Sequence, residues 1–172
     1  MKKIIAWAIV IAGVFGLLWL TGRNKAFDPQ NEIVKAANQS VNIGKELAIS
    51  ETFYDFGAIS MKNGNVAKIF KVTNGTDKDV FFPSLTTSCM CTVAYLIEPD
   101  GSKKGPFGMP GHGGAVPRAN ELIKAGESRE IEVVFDPNAH GPAGVGMINR
   151  IILLEDDNGN KLQFEIKANV TP

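Results

Sequence analysis

Lys161-Leu162-Gln163-Phe164-Glu165-Ile166-Lys167-Ala168-Asn169-Val170 is the stretch whose reading decides the fold. Every even position is apolar and every odd one is polar or charged. Side chains of a strand point to opposite faces in turn, so this period of two predicts a β-strand with one buried and one wet face. A helix would scatter the same residues around its circumference. Directly upstream, Asp157-Asn158-Gly159-Asn160 carries the residue types that accept the positive φ of a tight turn, which predicts a hairpin. The partner strand falls in Met147–Leu154.

Working further outward, Arg129–Phe135 alternates in the same way, with Ile131, Val133 and Phe135 on one side and Glu130 and Glu132 on the other. Val66–Thr73, Val80–Thr86 and Thr92–Ile97 are β-rich runs, and Ala48–Phe53 and Ala119–Ile123 add short edge strands. Asn74-Gly75, Asp100-Gly101 and Ala125-Gly126 supply turns between them. About seven short strands without a long helix predict an all-β fold, an antiparallel β-sandwich of the immunoglobulin-like kind. Residues 100–117, DGSKKGPFGMPGHGGAVP, interrupt the regular spacing and read as a long Gly/Pro-rich loop.

The chain before Leu47 is of a different kind. Ile4–Leu20 is an unbroken apolar run flanked by Lys2 and Lys3 on one side and Arg23 and Lys25 on the other. As a helix it would be about 25 Å long, near the roughly 30 Å hydrocarbon core of a bilayer. Trp7 and Trp19 stand near its ends, where interfacial aromatics belong. Residues 1–25 therefore read as a signal-anchor transmembrane helix, residues 26–46 as a polar stalk or linker, and residues 47–172 as the sandwich domain. A cleaved signal peptide, the alternative, would end in an A-x-A-like site, and Leu20-Thr21-Gly22 is a poor one. Either way the domain is expected outside the cytoplasm: single-pass at the cell membrane if the anchor is retained, exported if it is cleaved. Four of the 18 basic residues and none of the 18 acidic ones lie in residues 1–25. The remainder is mildly acidic with no basic stripe, which speaks against a nucleic-acid partner.

Several motifs in order give a family resemblance. They are Phe53-Tyr54-Asp55-Phe56-Gly57, Thr73-Asn74-Gly75, Thr87-Ser88-Cys89-Met90-Cys91-Thr92, Ile123-Lys124-Ala125-Gly126-Glu127, Val133-Val134-Phe135-Asp136, and Gly144 ahead of the next strand. Over about residues 48–171 the chain resembles the bacterial family "domain of unknown function 1573", which sits with Hydin-like and PapD-like immunoglobulin folds. The resemblance implies the fold and an exported location, and no activity. The family's usual form has Gly between the cysteines where this chain has Met90, and residues 103–117 look like an insertion.

Chemistry concentrates at Cys89-Met90-Cys91. Two cysteines one residue apart are no disulfide framework. On or beside a strand their side chains share a face, and three readings are open. Two thiolates suit a soft ion such as copper(I), with thioether and imidazole as its other natural ligands. Met109 and His112, in a glycine-rich loop, would complete the set of Cys89, Cys91, Met109 and His112, and His140 and Met147 are more remote ligands. The second reading is thiol–disulfide chemistry in a small strained ring, with no Lys or Arg expected beside the thiols. The third is packing, because buried Cys and Met behave as hydrophobes. No catalytic residues are expected: G-x-S-x-G, a phosphate loop and H-E-x-x-H are all missing from the sequence. The broad functional expectation is a tethered interaction module that meets a protein partner by a strand edge or the long loop. Soft-metal binding and thiol–disulfide exchange are the alternatives.

Overall fold

The computed structural model describes residues 47–111 and 118–172. The anchor and stalk over residues 1–46 and the candidate ligand His112 lie outside them. Among the described residues eleven strand segments form where about seven were expected: β1 (Leu47–Ile49), β2 (Phe53–Ser60), β3 (Val66–Asn74), β4 (Val80–Phe82), β5 (Ser84–Thr87), β6 (Thr92–Ile97), β7 (Lys103–Phe107), β8 (Glu121–Ile123), β9 (Ser128–Phe135), β10 (Gly146–Glu155) and β11 (Lys161–Thr171). They make a five-stranded sheet in the order β1-β3-β9-β6-β7 and a four-stranded sheet in the order β2-β11-β10-β5, with β4-β8 as a small separate pair. All pairings are antiparallel except β2 with β11, which is parallel.

The alternation in β11 does what its period demands. Leu162, Phe164, Ile166, Ala168 and Val170 are all buried, and they pack with Phe70, Val72, Leu96, Ile131, Val133, Ile152 and Leu154 in one core. The hairpin from Glu155 to Lys161 is also as expected, but Asp156 does more than meet solvent. It is buried and accepts from the backbone N–H groups of Asn158 and Asn160 and from Asn160 Nδ2, all within 2.9 Å. Those three bonds satisfy a carboxylate that burial would otherwise penalise.

Three departures from the sequence reading have plain causes. Val80–Thr86 is two strands, because Pro83 has no N–H to give a ladder; β4 pairs with β8 while β5 joins β10. The motif from Phe53 begins the eight-residue β2, an edge strand only half covered, with a register shift opposite Lys167–Asn169, so its alternation is blurred. Gly57 there takes a φ of 68°, and its N–H is received by Asp55 Oδ1 at 2.8 Å. Inside the long loop, Lys103–Phe107 is strand β7, closing the edge of the larger sheet against β6. Its Gly-Pro composition hides it, yet Phe107 is fully buried, and a Cβ on Gly105 would stand 3.0 Å from the Ala94 carbonyl oxygen.

Two connections cross from one sheet to the other at the same pole. β5 and β6 are consecutive but lie in different sheets, and so do β9 and β10. Thr92 at the start of β6 is paired with Phe135 at the end of β9, so both crossovers leave from one place. The Cys-Met-Cys triplet lies in the first crossover and His140 in the second.

Candidate functional site

The cysteines sit in the turn Ser88–Cys91 between β5 and β6, rather than on a strand. Thr92 N–H donates to Cys89 O at 3.1 Å, closing the turn. Buried Thr87 donates its hydroxyl to Thr92 O (2.8 Å) and Cys89 O (3.1 Å), tying the turn to its own stem. From outside, Ser88 and Ile151 exchange two bonds of 2.9 Å, and Asp136 N–H donates to Cys91 O at 2.9 Å. A turn held from both sheets keeps its side chains in one arrangement. Cys91 is buried, Cys89 is half-buried, and Met90 at the tip is 51% exposed.

The second crossover brings His140. Asp136 Oδ1 accepts from Asn138 N–H (2.8 Å), Asn138 Nδ2 donates to Met61 O (2.9 Å), and Gly141 N–H returns to Asn138 O (2.9 Å). Gly144 allows the following one-turn 3-10 helix, Gly141–Gly144, to fold back, since a Cβ there would come within 3.3 Å of His140 Cβ. His140 Nε2 thereby reaches Cys89 Sγ at 3.2 Å. Cys91 Sγ–H donates to Cys89 Sγ at 2.8 Å. The two sulfurs and the imidazole nitrogen lie within 4.8 Å of one another.

From the opposite sheet, Arg150 Nε donates to Cys91 Sγ at 3.0 Å, and another guanidinium nitrogen donates to Asn149 O at 2.8 Å. This overturns the expectation that no cation neighbours the thiols. Arg150 lies 59 residues from Cys91 in sequence. A signal was present: in β10 it shares the inward parity of Ile148, Ile152 and Leu154, where a charge is out of place unless something receives it.

The environment separates the two thiols. Burial resists ionisation of Cys89, but the hydrogen bonds from Cys91 and His140 and the charge of Arg150 outweigh it and bring the thiol down to about 7. Cys91 moves up, because burial and its donation to Cys89 exceed what Arg150 gives back. Burial also works against the Arg150 charge, yet the sulfurs facing it push its pKa up, so it remains a cation. The pair thus gives up its first proton at Cys89.

Of the four ligands expected from sequence, Cys89 and Cys91 come together. Met109 follows Gly108, whose carbonyl accepts from Thr87 N–H (3.2 Å) on the strand leading into the cysteine turn. His140, the more remote choice from sequence, is the imidazole in contact. Met147 is 63% exposed on the solvent side of β10. What the arrangement can do chemically is hold a soft cation between two sulfurs and a nitrogen, or give up two electrons to an incoming disulfide as the two sulfurs join.

No family model and no curated protein matches the chain. Solved structures do. A protein of unknown function from Porphyromonas gingivalis W83 is similar at 15% identity and a TM-score of 0.52 over 72% of this chain, which spans 46% of that one, less than half its length. The PapD-like domain 7 of human CEP192 matches at 13% identity and a TM-score of 0.40, over 73% of this chain and 85% of that one. The periplasmic chaperone SfaE matches at 11% identity and 0.38, over 73% and 58%. At such identities the likeness concerns fold alone, and the sheets themselves make that fold an all-β, mostly antiparallel sandwich.

Proposed function

We propose that this chain is a membrane-anchored, extracytoplasmic module of the domain of unknown function 1573 kind that holds a soft monovalent cation, copper(I) in type, at Cys89, Cys91 and His140. The observation that carries the reading is the convergence of two sulfurs and one imidazole nitrogen within 4.8 Å, from two separate crossovers. Thiolate and imidazole are the donors that soft ions select. Charge favours a monovalent ion. Two thiolates and one positive ion leave a single negative charge, which Arg150 at 3.0 Å from Cys91 Sγ neutralises, whereas a divalent ion would leave the pocket positive. Met109 and His112 belong to the same reading as further donors. Both sheets end in edge strands, as any open sandwich does, and that alone singles out no protein partner.

The test is a copper(I) competition titration of the full chain against its Cys89→Ser/Cys91→Ser double variant. Loss of about 100-fold or more in affinity is expected when both soft ligands go; equal affinities end the metal reading. Placement is tested separately with a membrane-impermeant maleimide on intact cells. Cys89 should be labelled without lysis, and labelling that requires lysis ends the extracytoplasmic assignment.

A further inference from the structure

We propose that Cys89 and Cys91 also form a thiol–disulfide exchange site for exposed disulfides of proteins or small thiols, Cys89 being the attacking sulfur and Cys91 the resolving one. The geometry points to it independently of any metal. The sulfurs are 2.8 Å apart, so a bond of about 2.05 Å needs an approach of less than an ångström. Their exposures divide the work. Cys89 is half-buried and beside the solvent-exposed His140, so an incoming disulfide can reach it, while Cys91 is 2% exposed and is reached only from Cys89. Arg150 places a cation on the inner sulfur, which has to act as the second nucleophile.

The steps balance. Cys89 Sγ, having given up its proton, attacks one sulfur of R–S–S–R; a Cys89–S–S–R bond forms, the substrate bond breaks, and the leaving thiolate takes up that proton. Cys91 Sγ then gives up its proton and attacks Cys89 Sγ. The intramolecular disulfide forms, and the second thiol leaves with the proton. The substrate disulfide is the oxidant and is reduced to two thiols, while the protein dithiol is oxidised. A bridge between residues i and i+2 closes a small, strained ring, so the reverse reaction is open to it. Oxidation also removes both sulfur ligands together, so a bridged chain cannot hold the ion proposed above.

The experiment uses the reduced, metal-free full chain with oxidised glutathione as the probe. The wild type should release both glutathione thiols and end as the internal disulfide with no adduct; a lasting adduct or no reaction overturns the proposal. Limiting iodoacetamide followed by peptide mapping of the wild type should modify Cys89 about tenfold faster than Cys91, as their difference in exposure requires. Equal rates overturn the assignment of roles, and this readout needs no variant to fold. Cys91→Ser should stop at the glutathione adduct on Cys89, and failure to form it counts against the proposal. A chain that completes exchange yet ignores copper(I) refutes the metal reading alone, and one that binds copper(I) but leaves glutathione oxidised refutes only this one.

Discussion

Two arginines point inward from this sandwich, and their partners differ. Arg129, at the start of β9, is 6% exposed, and its Nε donates to buried Glu121 at 2.5 Å, with Lys104 Nζ 3.3 Å from the other carboxylate oxygen. Arg150, in β10, meets a thiol instead. The first pairs a guanidinium with a carboxylate, so its geometry reads as architecture: two charges out of water that are tolerable only together. The second pairs a fixed cation with a group that can be neutral, ionised, metal-bound or oxidised. What the difference teaches is that a buried charge tells little until its partner is named, and that the partner able to change state marks the chemistry.

The largest effect expected is at the first pair. Arg129→Met leaves Glu121 buried beside Lys104 alone and should cost about 3 kcal/mol or more in urea unfolding, with copper(I) affinity unchanged. Removing both charges, as Glu121→Leu with Arg129→Met, should recover most of that loss. Arg150→Met should cost less than about 1 kcal/mol, since Cys91, which keeps its proton, loses one hydrogen bond and no buried charge is left unpaired. Were it to destabilise as strongly as Arg129→Met, the distinction between the two arginines would fail.

Its effect should appear on sulfur. Removing the cation disfavours the thiolate, so the Cys89 pKa should rise, but the hydrogen bonds from Cys91 and His140 keep most of the lowering, and alkylation at neutral pH should slow by about two-fold or less. In the wild type, the alkylation rate at Cys89 should climb with pH through about 7, where the thiolate becomes the majority form, and flatten above it. A profile still climbing at pH 9 would contradict the electrostatics described here. The smallest effect is at Gly144→Ala, whose Cβ presses His140; about a two-fold loss of copper(I) affinity is expected, measured by the same competition.

The same contrast explains what was legible in the sequence. Alternation in Leu162–Val170 and Arg129–Phe135, with the Asn158-Gly159 turn, was enough for the sandwich, because period two leaves few other folds. Strands β2 and β7 escaped it: one is half-wet along its length, and the other carries Gly105 and Pro106 where β-formers were sought. At the site, the cysteines announced themselves by type and spacing. His140 and Arg150 did not, because nothing local in a turn or a strand states which element from the opposite layer will face it. His140 falls in the turn between β9 and β10, and Arg150 is one charge within a β-strand, where its parity is the clue.

The two crossovers meet only when both sheets are paired, and that gives the sulfur chemistry a use of its own. Cys89, Cys91, His140 and Arg150 come from β5–β6, β9–β10 and β10, so no single hairpin contains the set. In a chain whose layers have not yet docked, Cys89 would react like any cysteine, near the ordinary value of 9.0. The thiol reactivity at neutral pH, read with a brief reagent pulse at successive times of refolding, would therefore time the docking of the layers.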